Sequence, residues 1–469
     1  MGYIKGGIME YICIILFTLI AWWRVIYAGY VVDDAMPEKR GGKVYTLIQQ
    51  FKKNHDWKEV VTRVRGVFYG TSMFKNICGD HIASLCIHII VSCLIYRCLG
   101  NNRVAFISAL LFCVNPITNQ VSCWCNGKRY GIAACLSLLL YAIAPAGILI
   151  YLLIPFSHAS AILAPLLLLY KGYWWILFVA PILGVFGYPF MYKWYLARKK
   201  MIGYSYFFEF DMRKVVMCVK RFNFFLWHII MPKSCGMYLG YQHYFGTRKD
   251  ETDKALSVNS EFLLSLCTLL VVLITMIYMW NTPVGFGLFW YCLFIAQWCG
   301  MITVTQTIVE RVMYLPAIGL CLVMGYFISI FPILFIPMAT IYVMKSWDVL
   351  KQYGSVQDML DYNIFNNPDS PHCFISNITN AYDAGMLEEG FTWAKKAVIA
   401  FPEDAYINLL YTAGLVGIKD FTEAKKWILR SQIKMRQTGI KPDISEKLSR
   451  EQYLFGVLSL AIKKDRNGK

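Results

Sequence analysis

Long apolar runs separated by short polar breaks dominate the chain as far as about residue 345. They fall at 8–27, 82–99, 104–121, 146–170, 263–280, 286–304 and 317–344. A helix needs about 20 predominantly apolar residues to cross ~30 Å of hydrocarbon, so each run predicts a membrane span. The last run is long enough for two short spans, broken at Pro332 or Pro337. With the weaker runs included, about ten or eleven spans are expected. The first run stays apolar too long for a cleavable signal, and no small-residue cleavage site precedes Asp33. It therefore reads as a retained first helix. Two polar stretches interrupt the pattern: a long first external loop at 31–79 and a second stretch at about 193–254.

Beyond that point the runs give way to amphipathic segments. The expected division is a transmembrane domain at 1–345 and a soluble helical domain at 346–469. In the second part, Tyr382 to Ala397 followed by Phe401-Pro402 has the cadence of a tetratricopeptide repeat. Gly390 and Ala424 are 34 residues apart, as are Pro368 and Pro402, and 34 is the period of that repeat. Small residues suit a close helix crossing, and a proline ends the preceding helix. An irregular helical tail with chance spacing is the plain alternative. Only two to three units are visible, so they must cap against the membrane domain or a partner.

Composition agrees with the pattern. Hydrophobic residues make up 57% and charged residues 16%, and the mean hydropathy is +0.46. Soluble domains carry roughly 45–50% apolar and about 25% charged residues. The net charge of +17 suits anionic headgroups and lipid phosphates. It forms no basic stripe interleaved with aromatics, so no nucleic acid is expected as a partner. The 16 cysteines lie mostly inside apolar runs, where a thiol behaves as a small hydrophobe. Cys123-Trp124-Cys125 lacks the spacing of a zinc knuckle and has no second pair, so neither a divalent metal nor another bound cofactor is expected.

Candidate chemistry clusters at the ends of the runs. Asp33-Asp34 follows the first span directly, and adjacent carboxylates at a membrane exit are costly to bury. A solvated loop start is the bland reading; a catalytic acid pair is the sharp one. His81 and His88 are seven residues apart, close to two turns, so both lie on one helix face. Asn115-Pro116-Ile117-Thr118-Asn119-Gln120 ends a span, and Trp124, Lys128 and Arg129 follow. Glu310-Arg311 opens a later apolar run, followed by Tyr314-Leu315-Pro316. An ion pair there must face protein, water or a ligand rather than lipid. Arginine suits phosphate because its guanidinium bonds two oxygens at once. Helix termination and structural ion pairing remain open for the last two segments.

The ordered set resembles the membrane O-mannosyltransferases that carry tetratricopeptide repeats, together with their bacterial relatives in the GT-C superfamily. Matching residues are Asp33-Asp34, His81 and His88, Phe112 with Asn115-Pro116-Ile117, and Glu310-Arg311-Val-Met-Tyr-Leu-Pro316. Tyr195, Arg198 and the stretch from Phe225 to Pro232 also sit where that family has similar residues. The resemblance runs over almost the whole chain, in the family's order. It departs where the family has two histidines and a glutamate, here Asn115, Thr118 and Gln120. His158-Ala159 stands where the family has Lys-Glu. Such departures fit a divergent member using a different sugar.

The resemblance implies an all-α fold, a polytopic GT-C bundle with a tetratricopeptide-like tail. It implies transfer of a monosaccharide from a polyprenyl- or dolichyl-phosphate donor to a hydroxyl of a protein or glycan. Asp33 or Asp34 would be the base of an inverting attack, with Asp33 preferred as nearer the membrane surface. Arg311 would hold the donor phosphate, helped by Arg129 or Lys128, with His81 or His88 bonding phosphate or sugar. Glu310, Asn115, Gln120 and Tyr314 would support them. Membrane lipids, the lipid-linked donor and an acceptor held by the repeats are the expected partners.

Two other functions remain: a glycan polymerase or ligase, and an inactive membrane scaffold that binds through its repeats. A transporter reading lacks the half-to-half symmetry such proteins often show. Arg97 and Arg103 bracket a short turn, which favours a cytoplasmic turn and puts loop 31–79 and the tail outside. The short tail leans towards a bacterial inner membrane over the endoplasmic reticulum.

Overall fold

A computed structural model describes residues 7–28, 77–124, 127–144, 146–147, 150, 158–179, 212–232, 235, 258–299, 310–366, 368, 371–383 and 386–437. Asp33, Asp34, Tyr195 and Arg198 lie outside these residues, as does nearly all of loop 31–79. The described chain is helical, with no strand among the described residues. It divides into two compact units, and the boundary falls between Met359 and Leu360.

The first unit holds helices α1 (Ile8–Trp22), α2 (Ile77–Cys98), α3 (Arg103–Val114), α4 (Lys128–Ala142) and α5 (Met212–Ile230). After these come α6 (Ser260–Tyr278), α7 (Pro283–Ala296), α8 (Glu310–Ile330) and α9 (Phe335–Leu350). Five stretches are long and apolar enough to cross a membrane: Ile8–Tyr27, Asp80–Cys98, Ser260–Tyr278, Glu310–Ile330 and Pro332–Tyr353. Arg103–Val114 and Pro116–Ser122 add a sixth if taken as one span bent by 58°. The chain thus has the build of a multi-pass helical membrane protein.

One apolar run differs from expectation. The described part of 146–170 breaks into short turns at Ala159–Ala161, Ala164–Leu166 and Leu167–Tyr170. Pro165 opens one of these turns, where its fixed φ suits a start and its missing N–H removes a ladder bond. The described part of the run at 286–304 lies in the 14-residue α7, Pro283–Ala296, and the turn after it.

Side-chain exposure separates a lipid-facing shell from a packed centre. On α6, Leu264, Val271, Ile274 and Ile277 are more than half exposed. Such a row of outward apolar side chains suits hydrocarbon and would be an aggregation hazard in water. α8 is the opposite, buried on nearly all sides. It crosses α7 at Gly287 and Gly319, where a methyl group on either would run into the other's backbone carbonyl. Gly325 of α8 lies equally close to Val104 and Ser108 of α3. Small residues at such crossings let dispersion contacts, rather than water exclusion, hold membrane helices together. Pro316 sits within α8, and the Trp290 indole of α7 donates to the adjacent Leu315 carbonyl at 2.8 Å.

The break after α8 falls at Pro332, and Pro337 sits in the first turns of α9, where proline is tolerated. The packed unit continues past the point where the apolar run ends. Ser346, Val349, Tyr353 and Met359 are all buried in it, so hydropathy marks the end of the run and not the end of the packing.

The second unit contains α11 (Pro371–Asp383), α12 (Leu387–Ala400), α13 (Ala405–Gly417) and α14 (Phe421–Gln437), preceded by α10 (Val356–Asn366), which spans the boundary. Short connections join consecutive helices of α11–α14. Phe374, Ile378, Ala394, Ala397, Val398, Ile407 and Leu410 form its core. Gly390 lies against the Tyr382 ring, closer than any side chain would allow, and Ala424 is fully buried. Asp404 caps α13, accepting from the Tyr406 and Ile407 amides at 2.9 and 3.1 Å. Burial pushes the Tyr382 phenol well above its ordinary value.

A bulky residue at the α7–α8 crossing should not be accommodated. Gly319→Leu is expected to cost about 3 kcal/mol or more by overpacking, read as a lowered unfolding midpoint in detergent.

Candidate functional site

α3 ends at Val114, and Asn115-Pro116 turns the chain into a short helical segment, Asn119–Ser122. Proline cannot donate to the preceding turn, so the last carbonyls of α3 lose their in-helix partners. Side chains from three other helices replace them. The Trp22 indole (α1) and His88 Nε2 (α2) bond the Cys113 carbonyl at 2.7 and 3.2 Å. Ser346 (α9) donates to the Val114 carbonyl at 2.9 Å. The end of α5 is treated the same way. Asn115 Nδ2 donates to the Ile229 carbonyl at 3.2 Å, and the Tyr342 hydroxyl to that of Ile230 at 2.8 Å.

His88 is therefore committed on both ring nitrogens. Nδ1 lies 2.9 Å from the Tyr314 hydroxyl, and Nε2 faces the Cys113 carbonyl. A carbonyl only accepts, so Nε2 carries the proton and Nδ1 accepts from Tyr314. Phe112 packs against both rings. His81, on the same helix, is also fully buried. Of the expected phosphate ligands, His88 spends its hydrogen bonds inside the bundle.

The helix break and the head of α8 meet, although about 190 residues separate them. Asn119 Nδ2 donates to Glu310 Oε2, and the Tyr353 hydroxyl donates to Asn119 Oδ1 at 2.6 Å. Arg311 Nη1 lies 3.4 Å from Gln120 Oε1, and its guanidinium sits 5.0 Å from the centre of the Trp124 ring. Stacked in this way, a guanidinium can still present its edge to an anion. Gly127 lies against the Gln120 carbonyl, leaving no room for a side chain. This closure brings the start of α4, with Lys128 and Arg129, back to the same turn.

The two cations differ in their environment. Lys128 is buried and paired at 2.8 Å with Asp80, which is fully buried at the start of α2. Arg129 is partly exposed; its guanidinium lies 5.5 Å from the Tyr130 ring, and its Nε has no protein partner among the described residues. Arg129 is thus better placed than Lys128 to meet an anion from outside.

Asp80, His228 and Tyr353 belong to this polar layer and were not singled out from the sequence, whereas Asn119 was noted only within the segment that ends a span. Asp80 carried a signal: an acid at the head of an apolar span is as costly as the Asp33-Asp34 pair. His228 Nε2 stands 3.5 Å from Glu310 Oε1, and the buried Cys235 thiol lies beside the same carboxylate. Burial, and next the charge of Glu310, push that thiol well above its ordinary value.

These features define a class: a multi-pass helical membrane protein with a largely buried polar layer where a broken helix meets the head of another. No protein-family model, curated protein or solved structure matches the chain.

The buried Asp80–Lys128 pair can be tested by a double-mutant cycle. Asp80→Asn and Lys128→Met are each expected to cost about 3–5 kcal/mol by stranding a partner, and the double variant to recover most of it. Unfolding midpoints in detergent would measure this.

Proposed function

We propose that the chain is a GT-C type glycosyltransferase, drawing a monosaccharide from a polyprenyl- or dolichyl-phosphate and transferring it to a hydroxyl of a protein or glycan. The observation that carries this reading is the contact between two segments far apart in sequence. Arg311, at the head of α8, meets Gln120 and Trp124 just beyond the broken helix, and Arg129 opens the helix that follows. Two partly exposed arginines at the end of a lipid-facing bundle suit a phosphate whose lipid tail stays in the membrane.

The chemistry needs a base and a phosphate clamp. Asp33 or Asp34 takes the proton of the attacking hydroxyl as it closes on the anomeric carbon, inverting it. Arg311, with Arg129, holds the departing lipid phosphate, whose charge grows as the glycosidic bond breaks. A phosphate is already a good leaving group, so no separate acid is required. Glu310, fixed by Asn119 and His228, orients the turn carrying Arg311. The helical pairs of the second unit are read as tetratricopeptide-like repeats that present the acceptor. In this reading the acid pair and the repeats face the non-cytoplasmic side, most simply of a bacterial inner membrane.

Membranes supplied with a panel of radiolabelled polyprenyl-phosphate sugars test the proposal. Wild type should move label to protein or glycan, and Asp33→Asn or Asp34→Asn should lower transfer by about 100- to 10,000-fold with expression intact. Arg311→Ala should lower donor use by about 100- to 1,000-fold. Full transfer by both aspartate variants would sink the assignment of the base.

A further inference from the structure

The cluster at His228, Cys235 and Glu310 points beyond sugar transfer. All three side chains are buried, and their donor atoms lie within 4.8 Å of one another. They come from three segments: the last turn of α5, the stretch beyond it, and the head of α8. α5 stops at Ile230, and Pro232 prevents its continuation, so Cys235 returns to the same carboxylate that His228 faces.

We propose that these residues form a binding site for a divalent metal ion of the zinc class. Imidazole nitrogen, thiolate sulfur and carboxylate oxygen are the donor types that zinc takes, at about 2.0–2.3 Å each. Two such N and O ligands at a tetrahedral angle stand about 3.4 Å apart. His228 Nε2 and Glu310 Oε1 are already 3.5 Å apart, and the Cys235 sulfur lies within 4.8 Å of the other ligand atoms. The mixed sulfur and nitrogen donors disfavour magnesium or calcium, which prefer oxygen alone.

The surroundings support the assignment. Metal-binding carboxylates are held by outer hydrogen bonds, and Glu310 Oε2 is held by Asn119, which is fixed in turn by Tyr353. His228 faces the other oxygen, Oε1, and the Cys235 thiol lies beside the same carboxylate. The His228 ring is stacked on Phe224, 5.2 Å between centres, which restricts its rotation. A dication here would offset the cost of burying a carboxylate, and its binding would displace the thiol proton. Three protein ligands leave a fourth position for water. Bound metal would tie the end of α5 to the head of α8, and this role does not depend on the transferase reading.

Full-length protein purified in detergent from zinc-supplemented cells should carry zinc in equimolar amount by elemental analysis. Cys235→Ser should lose it, while Cys267→Ser, at an exposed thiol on α6, should retain it. Asn119→Ala should weaken affinity by about 10- to 100-fold in competition with a chelating dye. Cobalt loaded into wild type should give a tetrahedral spectrum with a sulfur-to-cobalt band. Wild type holding no more zinc than Cys235→Ser, or a cobalt spectrum without the sulfur band, overturns the site. The cobalt result on wild type decides even if Cys235→Ser fails to fold, and neither readout requires transferase activity.

Discussion

Backbone carbonyls that end inside the bundle set the terms for much of the membrane unit. Hydrocarbon offers no water to bond them, so each must find a partner within the protein. The break after Val114 exposes two such carbonyls, and the end of α5 exposes two more. Trp22, His88 and Ser346 satisfy the first pair, and Asn115 and Tyr342 the second. These bonds link α1, α2, α3, α5 and α9 around one point, so the bundle's arrangement follows from a helix being broken there.

The same break creates the polar layer. A continuous helix through residues 115–122 would spread Asn119 and Gln120 around its surface. Bent by 58°, the chain instead presents Asn119 to Glu310 and Gln120 to Arg311. Buried charge follows the usual rule that it is paired or held by several hydrogen bonds. Asp80 meets Lys128, and Glu310 meets His228 and Asn119. Arg129 and Arg311 remain partly exposed.

Along α8 the packing is close. Gly287, Gly319 and Gly325 bring its middle and far half against α7 and α3 at backbone distance. The second unit is built differently, with its own apolar core between short helices and a partly buried tyrosine, Tyr382, over Gly390.

Hydropathy alone determined the class: apolar runs of span length cannot be buried in a core this size, so a multi-pass helical protein follows from composition and pattern. The break at Pro332 was also legible, because proline acts locally. The polar positions at Asn115, Gln120, His88, Glu310 and Arg311 stood out because polar groups in apolar runs are costly wherever they fall. Their partners were not legible. Nothing in the spacing of His228, Cys235 and Glu310 links them, since one comes from across the bundle. Lys128, expected as a helper for phosphate, is buried against Asp80, and both nitrogens of His88 face Tyr314 and the Cys113 carbonyl; spacing along the chain shows neither contact. Periodicity and hydropathy are properties of neighbours along the chain. Which cation is buried against an acid and which keeps part of its surface exposed depends on contacts between distant segments, and only the tertiary structure decides that.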